Sequence, residues 1–316
     1  MSNFSLQVGD STIVNGNPRG NNSIDLQLFR TAATQVASGV GSMIVGGGAN
    51  AATGLYSAVM GGYGNISSGI YGVTGGNGNT ASGQASVAIG ANNVSSALGS
   101  ACLGAENQAT AAASIAIGTG NVVAAINAAI INSVTSATLS TAPYSIIIGG
   151  NAAIAYMPGQ LVTNARNTYG AGNFQVTEIL VFSESVQPSG TAQSIVLTLD
   201  GLPGSVGNQL RMNDNNKVWQ IVSDWMLIDA TNNLVSSGKD IIVADKRGGT
   251  VRAIYKAKIA ETGDASLVSN WESNYVRNYA AGVDVQVLIV PTAVSLVATT
   301  TFRAVSKLTI TEIKSN

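Results

Sequence analysis

A five-residue pattern of serine, two variable residues, an apolar residue and glycine returns along the first half of the chain. It reads Ser42-Met-Ile-Val-Gly46, Ser57-Ala-Val-Met-Gly61, Ser86-Val-Ala-Ile-Gly90, Ser100-Ala-Cys-Leu-Gly104 and Ser114-Ile-Ala-Ile-Gly118. Ser145-Ile-Ile-Ile-Gly149 repeats it once more, and Gly72-Val-Thr-Gly75 reads as a shortened copy. Ser42 and Ser57 are 15 residues apart, while Ser86, Ser100 and Ser114 follow at 14. A Ser/Thr-Gly step keeps the same beat at Ser38-Gly39, Thr53-Gly54, Ser68-Gly69 and Ser82-Gly83. A fixed short period signals a solenoid, each repeat being one coil that buries its apolar residues only by stacking on its neighbours. A flexible Gly/Ser linker has no reason to hold Val, Ile and Leu in register.

Fourteen residues fit one coil of two short strands and two tight turns, a five-residue strand spanning about 16 Å at roughly 3.3 Å per residue. Gly46-Gly-Gly, Gly61-Gly, Gly75-Gly-Asn and Ala91-Asn-Asn would supply the positive φ values that such turns need. Strand alternation places Val87 and Ile89 on one face and Ala88 on the other. The expected arrangement puts the bulky face in the coil interior and leaves the small one free to lie against a neighbouring chain. Residues 119–172 fit the period less well: 122–134 reads as a short helix or as a coil with lengthened turns. Ser145–Gly150 then reads as a last coil, and Pro158-Gly159 turns the chain toward a connector.

The pattern changes to strict alternation after about residue 172. Phe174-Gln-Val-Thr-Glu-Ile-Leu-Val, Ile195-Val-Leu-Thr-Leu and Val251-Arg-Ala-Ile-Tyr-Lys-Ala-Lys-Ile predict strands, with more over 218–228, 240–245, 283–290 and 300–313. Eight or so strands punctuated by Gly, Asn and Asp turns predict an antiparallel β-sandwich or jelly roll.

Charge sharpens the division. Of 37 glycines, 28 fall in residues 1–172, where the charges are Asp10, Asp25, Glu106, Arg19, Arg30 and Arg166; between 31 and 150 Glu106 stands alone. Overall 15 basic residues face 16 acidic ones, which gives none of the basic stripe a nucleic-acid binder needs. The chain has no His, which removes Ser-His-Asp and Cys-His catalysis and imidazole zinc sites. Its one cysteine, Cys102, allows no internal disulfide or Cys-cluster metal site. No metal, cofactor or nucleic acid is therefore expected as a partner. The first residues show no basic-then-apolar leader, and no apolar run reaches about 18 residues. A product made in the host cytoplasm, without membrane insertion, is expected.

Energy bears on assembly. Ordering a 14-residue coil costs on the order of 20 kcal/mol, and three or four buried Val, Ile or Leu side chains return roughly 5–12 kcal/mol. A thin uncharged monomer is marginal, so self-association is expected.

The Ser-x-Ala-Ile-Gly units, Ser86–Gly90 and Ser114–Gly118 above all, resemble the repeats of trimeric autotransporter adhesin heads of the YadA type. Asn17-Pro-Arg-Gly20, Ile24-Asp-Leu-Gln27 and Ala33-Thr-Gln-Val-Ala-Ser-Gly39 resemble the lead-in of β-roll fibre proteins of phages and large DNA viruses. The resemblance covers about residues 17–172. It implies an all-β homotrimer: a left-handed parallel β-roll or solenoid, followed here by the antiparallel sandwich. Lacking a leader and a C-terminal barrel anchor, the chain departs from an autotransporter, and a virion-surface fibre is expected instead. In that organisation residues 1–30 attach to a tail or capsid protein and cap the roll, 31–150 are the roll, 151–172 the last coil and connector, and 173–316 a knob meeting a host glycan or protein. The alternatives are a capsid head fibre or decoration protein and a tailspike polysaccharide depolymerase.

Candidate chemistry is sparse. Trp271, Tyr275 and Tyr279, spaced by four, share a face on strand or helix and form the candidate receptor row, against a core or subunit-interface role. Trp219 and Trp225 read as core. Asp224 with Asp229, or Asp240 with Asp245, are the carboxylate pairs a glycosidase could use. Asp214-Asn-Asn216 lacks the remaining calcium ligands. The recurring glycines are turns, since no Lys-Ser/Thr follows them as in a phosphate loop.

Overall fold

The computed structural model describes residues 6–7, 17–139, 141–166, 174–199, 217–247, 250–264, 271–277, 285–291, 295–296 and 298–314. It divides into two compact units, Met1–Tyr156 and Met157–Asn316. All regular structure among the described residues is β.

The first unit is a parallel β-solenoid of about nine turns. Ile24–Asp25, Met43–Ile44, Ala58–Tyr63, Val73–Asn77, Val87–Ala91, Ala101–Ala105, Ile115–Thr119, Ala129–Val134 and Ile146–Ile148 stack in chain order as one sheet. Two-residue strands, from Ala51–Ala52 and Ile66–Ser67 through Val94–Ser95 to Ile154–Ala155, stack as a second. Val73 pairs with Val87, Val87 with Ala101 and Ala101 with Ile115, so the register is the sequence period itself.

The expected facing of the strands is inverted. Ile44, Val59, Thr74, Ala88, Cys102, Ala116, Ile130 and Ile147 form the inward column, each wholly buried, while Val87 and Ile89 sit half-buried on the outside. The reason is width. A wall only two residues long, lined inside by Ala52, Ala81, Ala109 and Ala155, closes the coil so tightly that a small side chain suffices opposite it.

The glycine alignment also needs correction. Gly62 pairs with Gly76, Gly76 with Gly90, Gly90 with Gly104 and Gly104 with Gly118. In the 15-residue turns the crowded position thus belongs to Gly47 and Gly62, not to Gly46 and Gly61. A Cβ on Gly47 would lie 1.9 Å from the Gly62 carbonyl oxygen and one on Gly90 2.0 Å from that of Gly104, whereas one on Gly46 or Gly61 would meet nothing. The extra residue is absorbed as a register shift between Val59 and Gly62. Nor is the 72–75 copy shortened: Val73–Asn77 is a full strand, with Gly76 in the crowded position.

Most turns bend at a left-handed corner before the repeat serine, or before Gly72 or Ala128 in its place, and at another before a buried asparagine, or before Ser136 or Ala153 in the last turns. Glycine holds only some of them: Tyr56, Tyr71, Ala85, Ala113 and Glu106 also sit at φ between 52 and 58°. That strain, roughly 1–2 kcal/mol per residue for a left-handed L-residue, persists because stacking on both sides fixes the corner. The repeat serines Ser42, Ser57, Ser86, Ser100 and Ser114 are all buried; Ser86 Oγ donates to the Gly83 carbonyl and Ser100 Oγ to that of Ala97, both at 2.7 Å. Residues 122–134 contain the strands Val122–Val123 and Ala129–Val134, so the lengthened-turn reading holds and the helix does not.

The second unit holds an antiparallel sheet of long strands in the order Leu161–Arg166, Phe174–Gln187, Thr300–Lys314, Lys217–Asp229, Leu234–Arg247, Thr250–Gly263. The C-terminal strand is thus inserted between two earlier ones. Ile195–Leu197, Val285–Pro291 and Trp271–Arg277 make a separate three-stranded sheet. The strands run to 13, 14 and 15 residues, longer than the alternation suggested. Along 217–229 the alternation is realised: Trp219, Ile221, Trp225 and Leu227 are buried while Gln220, Asp224 and Met226 are exposed.

Candidate functional site

An asparagine column, not foreseen as such, runs up the inside of the solenoid. Asn50, Asn65, Asn79, Asn93, Asn107 and Asn121 are each wholly buried, one per turn. Asn93 Nδ2 donates to Asn79 Oδ1 (3.0 Å), to the Ile89 carbonyl (3.0 Å) and to the Gly104 carbonyl (2.8 Å), its two hydrogens shared among three acceptors. Its Oδ1 accepts from the backbone N–H and Nδ2 of Asn107, both at 3.0 Å. The other members repeat this scheme. At the first end Gln27 Oε1 accepts the Asn50 N–H at 2.9 Å, and Gln27 Nε2 donates to Asp25 Oδ1 at 3.1 Å. Buried Asp25 is held there by Arg19 Nε (3.2 Å) and Arg30 Nη2 (3.0 Å). At the far end the Ser136 N–H donates to Asn121 Oδ1, and Ser136 Oγ bonds Ser133 Oγ and accepts the Ala153 N–H. The signal was present, Asn recurring at 15 and then 14 residues in step with the serines, but it read as turn composition.

Amides, serines and small residues fill much of the interior alongside Ile44, Val59, Ile130 and Ile147, and the remaining large apolar residues of the long strands face outward. From Met43 and Val45 to Ile146 and Ile148, the first and third position of every long strand is apolar or glycine. Val45 is 48% exposed, Met60 62%, Leu103 38% and Ile148 49%. Aromatic residues collect over the early turns: Phe29 lies against Gly48 with Tyr63 6.0 Å away, and the rings of Tyr56 and Tyr71 stack at 5.8 Å and 7°. An exposed apolar surface of this extent is the kind that marks interaction sites in folded proteins.

In the second unit Trp271 and Tyr275 lie on the strand Trp271–Arg277; Tyr279 lies outside the described residues, as do Asp214, Asn215 and Asn216. The carboxylate pairs do not come together as pairs. Asp224 is exposed and bonded to Lys239 at 3.2 Å, while Asp229 is buried and accepts the Thr231 and Asn232 N–H groups at 3.0 Å, capping its turn. Asp240 accepts from Trp225 Nε1 at 3.1 Å, and Glu312 from Trp219 Nε1 at 2.6 Å. The core role expected of both tryptophans is thus accompanied by buried carboxylate partners that alternation could not reveal. Trp225 lies so close to Gly238 that a Cβ there would stand 2.5 Å from its ring.

The exposed face of the same sheet carries an open groove of about 480 Å³. Leu180, Met226 and Val305 form its apolar floor, and Asp224, Lys239 and Lys307 its charged margin. Lys307 is paired with Glu178 at 3.1 Å, so the margin is locally neutral. Among the described residues no group of three or more Cys, Asp or Glu could hold a metal ion. Cys102, inside the solenoid, has its thiol pushed up to about 11 by burial, with an opposing backbone hydrogen bond at Ala109.

No family model matches the chain, and no curated protein matches it. Among solved structures it is similar to the tailspike protein of Acinetobacter baumannii phage AM24, at 9% identity and a TM-score of 0.25 over 93% of this chain and 56% of that one. It is also similar to the tailspike protein of Acinetobacter phage vB_ApiP_P1, at 7% identity and a TM-score of 0.23 over 99% of this chain and 74% of that one. The chain thus spans little more than half of the first tailspike.

Proposed function

We propose that the chain is a non-enzymatic homotrimeric fibre on the surface of a virion. In this reading the solenoid is a stiff spacer, the N-terminal segment of about 30 residues engages a tail or capsid protein, and the antiparallel sheets of the second unit form a sandwich-like knob that meets a host glycan or protein. The observation that carries it is the outward strip on a segment whose single charge is Glu106. A long solenoid held by its own amide column, yet apolar outside, suits parallel copies sharing an axis. Three weak knobs on one axis then bind through effective concentration rather than through individual affinity. The contact residues in this reading are Trp271 and Tyr275, with Tyr279.

The test uses purified full-length protein with host cells and with isolated host surface polysaccharide. Saturable binding to cells without release of reducing ends is expected. Release of reducing ends overturns the non-enzymatic reading in favour of a depolymerase. No binding and no cleavage favours a decoration protein.

A further inference from the structure

Two apolar surfaces flank one corner of the solenoid, and both run along its length. The first is the outward strip of the long-strand sheet, from Met43 to Ile148. The second is a ridge on the turn just before the repeat serine, where Leu55 is 38% exposed, Ile70 41%, Leu98 58% and Ile126 54%. Only two residues separate ridge from strip in each turn, Gly99 and Ser100 between Leu98 and Ala101 being an example. Glu106, the one charge of residues 31–150, sits at the other corner of its turn, beyond the long strand and before Asn107.

Resting on the trimeric reading above, we propose that the strip of one chain receives the ridge of a second copy, so that three chains close into a ring through strip-to-ridge contacts. Size argues for a ring over a pair. Eight strands about 4.8 Å apart, with two outward columns, present a strip of about 34 by 14 Å, roughly 500 Å². A stable interface buries about 800 Å² per partner, so strip against strip falls short. A chain that gives its strip to one neighbour and its ridge to another buries both surfaces. Contacts between two different patches are heterologous, and a heterologous contact that closes makes a cyclic oligomer. The occupant is a second copy because neither surface carries a charge, and Gln84 is the one amide on the ridge, too little for a different protein to find its register. An identical solenoid brings apolar rows at the same rung spacing.

The test keeps the full chain and places opposite charges on the two surfaces in different molecules. Leu98→Asp on the ridge and Leu103→Lys on the strip are each expected to raise the concentration at which the oligomer dissociates by at least tenfold, with the far-ultraviolet β spectrum unchanged. Mixing the two variants is expected to restore part of the association as oligomers containing both chains, because a mixed ring of three holds one carboxylate–ammonium contact, one native contact and a single substituted contact, against three substituted contacts in a ring of either variant alone. Should either variant not fold, Leu98→Ala and Leu103→Ala give the same reading at smaller size, the ridge already carrying Ala112. Single variants as oligomeric as the parent, or a mixture no more associated than its components, overturn the strip-to-ridge assignment while leaving the trimer standing. A monomeric parent chain removes the trimeric reading as well.

Discussion

Replacing Asn93 by alanine isolates the amide column. The side chain is wholly buried and joins turns on both sides through five contacts between 2.8 and 3.0 Å. In Asn93→Ala the backbone N–H of Asn107 loses its acceptor, and the carbonyls of Ile89 and Gly104 lose a donor. A buried polar group left without a partner costs about 1–3 kcal/mol, and an ordinary hydrogen bond is worth about 1 kcal/mol net. Asn107 Nδ2 keeps the Leu103 and Gly118 carbonyls, so it adds little. The expected loss is about 3–5 kcal/mol, one of the larger effects a single substitution produces. The control is the neighbouring Asn92, exposed at φ 54° with no place in the column. Asn92→Ala should cost at most about 1–2 kcal/mol, the strain of a left-handed alanine. Guanidinium unfolding followed by circular dichroism, at one fixed chain concentration because oligomer stability depends on it, compares the two. If Asn93→Ala unfolds within about 1 kcal/mol of Asn92→Ala, the column does not hold the solenoid as argued.

Three further outcomes follow from the same geometry. Gly47→Ala, with φ +80° and a Cβ 1.9 Å from the Gly62 oxygen, should abolish soluble folded protein or lower its melting temperature sharply, whereas Gly46→Ala should leave thermal unfolding almost unchanged. Cys102 should resist alkylation until the chain unfolds. Since its folded value is raised from 9.0 to about 11, the protonated thiol's contribution to stability is complete below about pH 9 and is lost as pH rises to 11, so pH-dependent denaturation should show a fall there that Cys102→Ala removes. Trp225→Phe keeps a ring over Gly238 but withdraws the donor from Asp240, and a loss of about 1–3 kcal/mol is expected in chemical denaturation of the full chain.

What the sequence made legible was period, and what it hid was direction. Serine and glycine spacing placed every turn from Ser42 to Gly118, because a stacked coil repeats its backbone at each rung and the register simply copies the interval. It did not say that Ala88 points inward and Val87 outward, since alternation defines two faces without naming the buried one. The usual rule that bulk goes inside fails where the opposite wall is only two residues long. Gly46 and Gly47 are adjacent and chemically identical, and only the carbonyl of the next turn distinguishes them. In the second unit, Trp219 and Trp225 were legible as core from their spacing. Their carboxylate partners, Glu312 and Asp240, lie on other strands, 93 and 15 residues away, beyond any local pattern.

The mass of the intact particle in dilute solution, by native mass spectrometry or light scattering, bears most directly on the central claim that this bare, outwardly apolar solenoid exists only in company. Three times the 31.9 kDa chain is the predicted result. A folded species of one chain mass, stable at micromolar concentration, would contradict it.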